Sequence, residues 1–175
     1  MQAHKEYFRK AMRRHAGGVA IITTSNAGNH VGLTATAVCS LSMDPPKILA
    51  CINLKGTTFH FLSESRVMTV NLLGRSQELL AREFGGMCAQ SGEPFLNSDW
   101  ETTPIGTHFL KGAVASIDCN VDEMFITRSH AVVFGDVVNV RIGPSDNQLM
   151  YFDGQFAPAK KELPEPIEHR FENKA

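Results

Sequence analysis

Thr34, Thr36, Ser40 and Ser42 recur at even spacing within GLTATAVCSLSMDPPKILACIN (residues 32–53), with Ala35 and Ala37 set between the first of them. On a strand, residues two apart share a face, so the hydroxyls would line one side and the alanines would keep the other shallow. Such a groove suits a flat heteroaromatic ring: backbone N–H groups can approach ring oxygens and nitrogens, and hydroxyls can bond a polyol chain or a phosphate. The same residues also fit a plain structural role, since threonine favours strands and serine their ends. Asp44, Pro45 and Pro46 set a bend before the strand KILACIN.

Other chemistries lack their residues. There is no GxGxxG after a strand and no GxxxxGK[ST], which disfavours a dinucleotide fold of the Rossmann type or a P-loop. GRSQE (residues 74–78) is not GxSxG, and no cysteine has an assignable histidine base. Cys39, Cys51, Cys88 and Cys119 never form a CxxC pair, and the seven histidines form no HxH or HExxH, so free thiols and no protein-bound metal are expected.

The elements that would hold the groove are mostly strands. YFRKAMRRH (residues 7–15) puts Phe8 and Met12 on one face of a short helix and arginines on the other. GVAIITT is β-branched and SNAGN turn-forming, so the hydroxyl-rich segment begins as the return strand of a hairpin. Residues 57–65 and 76–84 are short helix candidates, with VMTVNLL as a strand between them. AVASIDCNVDEMFI, HAVVFGDVVNVRI and LMYF are further strands. Residues 85–106 form a long, weakly patterned loop carrying Trp100, of the kind that is functional or interfacial. The reading is mainly β: an antiparallel barrel with a few peripheral helices, in one domain over residues 1–157, with a proline-rich, charged, extended tail at 158–175.

Seventeen basic and 18 acidic residues leave a net charge of −1, which supplies no general attraction to nucleic acid or anionic membranes. The basic N-terminus has no apolar segment and no stretch reaches membrane-spanning length, so a cytoplasmic protein is expected.

Taken together, FRKAM, GGVAIITT, GLTATAVCSLSMDPP, Ile52–Asn53, VNLL, LAREFGG and LMYFDGQF make a sequence that resembles the short-chain flavin reductases, over nearly all of residues 7–156. The resemblance implies a homodimeric split β-barrel of Greek-key type that binds FMN or FAD and oxidises NADH or NADPH. It implies that Thr34, Ala35, Thr36, Ala37 and Ser40 line the isoalloxazine and ribityl chain and that Asn53 sits beside the flavin. Thr57 and Thr58 would receive the phosphate together with Arg82, Phe84 would pack on the cofactor, and Phe156 would stand near the same pocket. Where relatives often carry Gly-Asp-His, this chain has Arg128, Ser129 and His130; the histidine, on the nicotinamide side, is kept while its two predecessors differ.

In that family hydride passes directly from nicotinamide C4 to flavin N5, so the protein's task is to stack two rings and stabilise charge near flavin N1, with no side-chain base required. Three functions follow: a flavin reductase supplying a separate monooxygenase; a flavoenzyme of the same fold reducing another acceptor, such as the cobalt of cob(II)yrinic acid diamide or a ferric complex; or a non-catalytic flavin-binding module.

Overall fold

The computed structural model describes residues 4–87, 94–95, 99–144 and 147–159. Helix α1 (Lys5–Arg13) leads into β1 (Gly17–Gly18) and β2 (Ala20–Asn26). A two-residue turn at Ala27 and Gly28, both at positive φ (49° and 79°), reverses the chain into β3 (Asn29–Ala35). Positive φ at both central positions matches the right-handed twist of the flanking strands, and Gly28 adopts it without a Cβ clash.

After Thr36 and Ala37 come β4 (Val38–Met43), β5 (Pro46–Asn53), α2 (Thr57–Ser65) and β6 (Val67–Leu72). A 3₁₀ turn (Arg75–Gln77) opens α3 (Glu78–Phe84), so the expected helix over 76–84 is a tight turn feeding a helix. Then follow β7 (Trp100–Thr102), β8 (His108–Leu110), β9 (Ala115–Ile126), β10 (His130–Ile142), β11 (Leu149–Phe152) and β12 (Gln155–Pro158). β7 lies inside the segment read from sequence as loop. β12 carries the ordered sheet one residue past the expected domain end, and most of the expected tail lies outside the described residues.

The main sheet is antiparallel, in the order β3-β2-β6-β9-β10-β5-β4. β3 and β4 occupy its two ends, yet only Thr36 and Ala37 separate them in sequence. Three Cα steps from Ala35 to Val38 span at most about 11 Å, so the seven strands must curl until the two ends nearly meet. β3 and β4 do not pair with each other, which leaves the barrel split along this seam.

β2 is buried on both faces from Ala20 to Thr24, where three apolar residues are followed by two buried threonines. Ala20 and Ile22 point into the barrel core with Ile52, Met68, Val70 and Val133. Val19 and Ile21 join a second cluster with Leu73, Phe84, Trp100 and Leu149. This second core is closed by a three-stranded sheet, β1-β11-β12, and by the β7–β8 hairpin. No described helix is long and apolar enough to cross a membrane.

Candidate functional site

A cleft of about 880 Å³ opens along the seam, within the size range of small-molecule sites. Its lining includes His30 and Gly32 to Ala37 from β3 and the link, Cys51 and Asn53 from the end of β5, Lys55 to Thr58, Phe84 to Gly86, Phe95 and His130. Segments far apart in sequence meet here because the curled sheet brings its two ends together at residues 36–37.

The floor is the break in the strand. Ala37 accepts a hydrogen bond from Cys51 N–H at 3.0 Å, which ties the link to β5. The N–H groups of Thr36 and Ala37 find no backbone acceptor among the described residues. Both residues line the cleft beside small side chains, a setting that suits a ring bearing carbonyl oxygens and imine nitrogens. Thr34 lines the same floor, but its hydroxyl donates to Ala81 O at 2.8 Å and holds α3 against β3. From α3, the Phe84 ring lies over Gly32: a Cβ there would stand 2.8 Å from Phe84 Cε1. Only glycine allows that approach.

Asn53 ends β5 opposite His130, the first residue of β10. Its Oδ1 accepts from Lys55 N–H at 2.9 Å, which leaves the amide nitrogen as a donor. The turn before His130 is closed by Thr127, whose hydroxyl donates to His130 O at 2.7 Å. Leu54 N–H donates to Ser129 O at 3.1 Å and fastens this turn to the end of β5. The His130 ring, exposed at the cleft, keeps Nδ1 2.9 Å from the Ser129 hydroxyl.

At α2 the N-cap is Gly56, which offers no side-chain cap. The first-turn N–H groups and the helix dipole favour an anion at this end, and Lys55 stands next to it in the cleft lining. The opposite wall is aromatic. Phe95 packs against Phe84 (5.4 Å between centroids), Trp100 (5.0 Å), His108 (5.3 Å) and His30 (6.1 Å), and the His30 and His108 rings are 4.0 Å apart. Burial, then the neighbouring His30, pull the His108 pKa below its ordinary value. Trp100 Nε1 and His108 Nδ1 are buried without hydrogen-bond partners among the described residues.

Of the residues expected from sequence, Thr34, Ala35, Thr36, Ala37, Asn53, Thr57, Thr58, Phe84 and His130 come together here. Ser40, Arg82 and Phe156 stand outside the lining. Ser40 lies past the break at residues 36–37, so the even spacing from Thr34 does not continue onto its face; it is exposed and its hydroxyl reaches Met43 Sδ at 3.9 Å. Arg82 is held by Glu78 one helical turn away, at 2.6 and 3.0 Å, with its guanidinium over the Phe156 ring. Phe156 pairs with Tyr151 in the second core. Lys55, His30 and Phe95 were not anticipated; Lys55 next to a glycine and a Thr-Thr helix start was the one local signal. Among the described residues no group of three or more His, Cys, Asp or Glu could hold a metal ion.

The chain matches the flavin reductase like domain family over residues 12–160 and belongs to it. It is 37% identical over 151 residues to the FMN reductase (NADH) RutF of Klebsiella variicola, covering 86% of this chain and 92% of the relative. It is 32% identical over 162 residues to the 4-hydroxyphenylacetate 3-monooxygenase reductase component of Salmonella dublin, covering 92% and 95%. Among solved structures, nitrilotriacetate monooxygenase component B from Mycobacterium thermoresistibile superposes with a TM-score of 0.84 at 28% identity, covering 98% of this chain and 95% of that one. The split barrel is the fold of these flavin reductases.

Proposed function

We propose that this protein is an NADH- or NADPH-dependent flavin reductase that provides reduced flavin to a separate monooxygenase. One observation carries the reading: the cleft joins a small-residue floor, whose Thr36 and Ala37 N–H groups have no backbone acceptor among the described residues, to a helix N-terminus without a side-chain cap, flanked by Lys55. That pairing suits a ring joined by a short polar chain to a phosphate.

A bound flavin would supply the two-electron acceptor for a nicotinamide hydride. The chain's own part is positioning. The Thr36 and Ala37 N–H groups would hold the ring's polar edge and oppose charge there, and the first turn of α2 with Lys55 would hold the phosphate. Asn53 and His130, facing each other across β5 and β10, would border the space a nicotinamide needs. Family membership and the reductase components among the relatives support the monooxygenase partner.

The reading extends to a homodimer in the cytoplasm. Val138, Val140 and Ile142 alternate on one face of β10 and are 47%, 48% and 80% exposed, an apolar stripe that a second copy would cover. A monomeric mass in light scattering would remove the dimer.

The test is anaerobic mixing of purified protein with FMN or FAD and each nicotinamide. Loss of the oxidised flavin's visible band at a catalytic protein concentration is expected. Flavin that binds but is not bleached by either nicotinamide would refute the enzyme and leave a binding module.

A further inference from the structure

We propose that a second cavity, between α1, the β11–β12 turn and the Thr36–Ala37 link, binds a small organic acid whose carboxylate or phosphate is gripped by Arg9 and Arg13. The cavity shares Thr36 and Ala37 with the flavin cleft, but its basic residues belong to it alone.

It holds about 490 Å³, within the size range of small-molecule sites. Two glycines shape it. A Cβ on Gly154 would stand 2.6 Å from Arg13 Nη2, so the guanidinium lies against bare backbone, and Asp153 N–H donates to Arg13 O at 2.9 Å and fastens the end of α1 to the turn. A Cβ on Gly17 would stand 3.1 Å from Thr36 Cβ, so β1 lies directly against the link that floors the flavin cleft.

Arg9 and Arg13 are one helical turn apart on the same face of α1, a spacing at which like charges repel. The ion pairs among the described residues use Lys47, Arg82, Lys111 and Arg141, and no carboxylate lies within ion-pair distance of Arg9 or Arg13. His15 adds a ring nitrogen to the lining, and Asp153 is its one acidic residue. An anion between the two arginines relieves their repulsion, and the planar guanidinium fork matches a carboxylate or a phosphate with paired N–H bonds. Met12 and Tyr151, in the same lining, give apolar surface to the body that carries the charge.

The experiment titrates benzoate and phenyl phosphate by calorimetry into protein saturated with FMN, at fixed ionic strength in chloride. Saturable binding of at least one probe is expected, and the tighter one identifies the head group. Arg9→Gln with Arg13→Gln should weaken it about 10- to 150-fold. Lys5→Gln with Arg14→Gln removes two charges of the same segment outside the lining and should leave it within about twofold of the parent. All four positions are exposed and α1 buries none of its residues, so both variants keep the fold, which circular dichroism verifies. No saturable binding, or equal losses in the two double variants, overturns the site. Probe binding seen only without FMN also overturns it, because the seat then belongs to the flavin's own phosphate. The outcome is separate from the flavin reading: a protein that takes no FMN is titrated as it stands, and the same losses decide.

Discussion

Asp118 is fully buried on β9 and collects three donors. Its Oδ2 accepts from Asn139 Nδ2 at 3.0 Å and Arg141 Nη1 at 2.8 Å, and its Oδ1 from the Thr69 hydroxyl at 2.9 Å. The chain of hydroxyls continues through Thr107 (2.5 Å) to Thr103 (2.7 Å), at the turn of the β7–β8 hairpin that carries His108. Arg141 is partly hydrated, its side chain 27% exposed with the guanidinium 4.4 Å from the Phe109 ring centroid.

Asp118→Ala would strand the arginine and two neutral donors. Breaking a buried ion pair costs about 3–5 kcal/mol, and the partial exposure of Arg141 puts the expectation at the lower end, about 3 kcal/mol. Arg141→Met leaves the carboxylate with neutral donors only and should cost a similar amount. The double variant should cost far less than the sum, because each single change already pays for an unpaired group. Urea unfolding followed by Trp100, the single tryptophan, measures all three. A loss under 1 kcal/mol for Asp118→Ala, or additive singles, would refute the claim that this pair anchors the hairpin.

The lowered pKa of His108 means that the unfolded chain binds its proton first on acidification. Its contribution is therefore complete above about pH 6.5 and lost as pH falls through the folded-state value; His108→Gln should flatten the stability profile measured between about pH 7.5 and 5.5, and an unchanged slope would refute this. Burial, reinforced by Asp118 and Asp136, pushes the Cys119 thiol up to about 12, so peptide mapping after iodoacetamide treatment of native protein should find Cys39 modified and Cys119 untouched. Cys51 lines the cleft, and saturating flavin should slow its modification; equal rates with and without flavin would move the ligand elsewhere. Thr34→Val removes the bond to Ala81 O and should cost about 0.5–1.5 kcal/mol of stability, read by urea unfolding. Thr36→Val, exposed at the link, should instead weaken flavin binding at unchanged stability, and the reverse pattern in titrations would reject this assignment.

Much of the site was legible because its residues are local. GLTATA, Asn53 and the Thr-Thr helix start stand in the chain as they stand in the cleft. The period-2 rule failed at Thr36 and Ala37, where β3 ends and the chain crosses the seam, and Ser40 left the site for that reason. Arg82 illustrates a different failure: its charge suited a phosphate, but Glu78 at i−4 on α3 lies within reach and holds it. His30 and Phe95 carried no signal at all, since each becomes part of a wall only through packing against residues distant in sequence.

By itself the sequence determined the strand-rich class, the β-branched first strand, the hairpin into β3 and the small-residue segment, since propensity and alternation act over a few neighbours. The tertiary structure alone decided that β3 and β4 close the sheet from opposite ends, that Lys55 meets the floor made by Thr36 and Ala37, and that an aromatic wall stands at the far end. Those relations depend on curling seven strands around one core, a constraint imposed by the sheet as a whole and by no single segment of it.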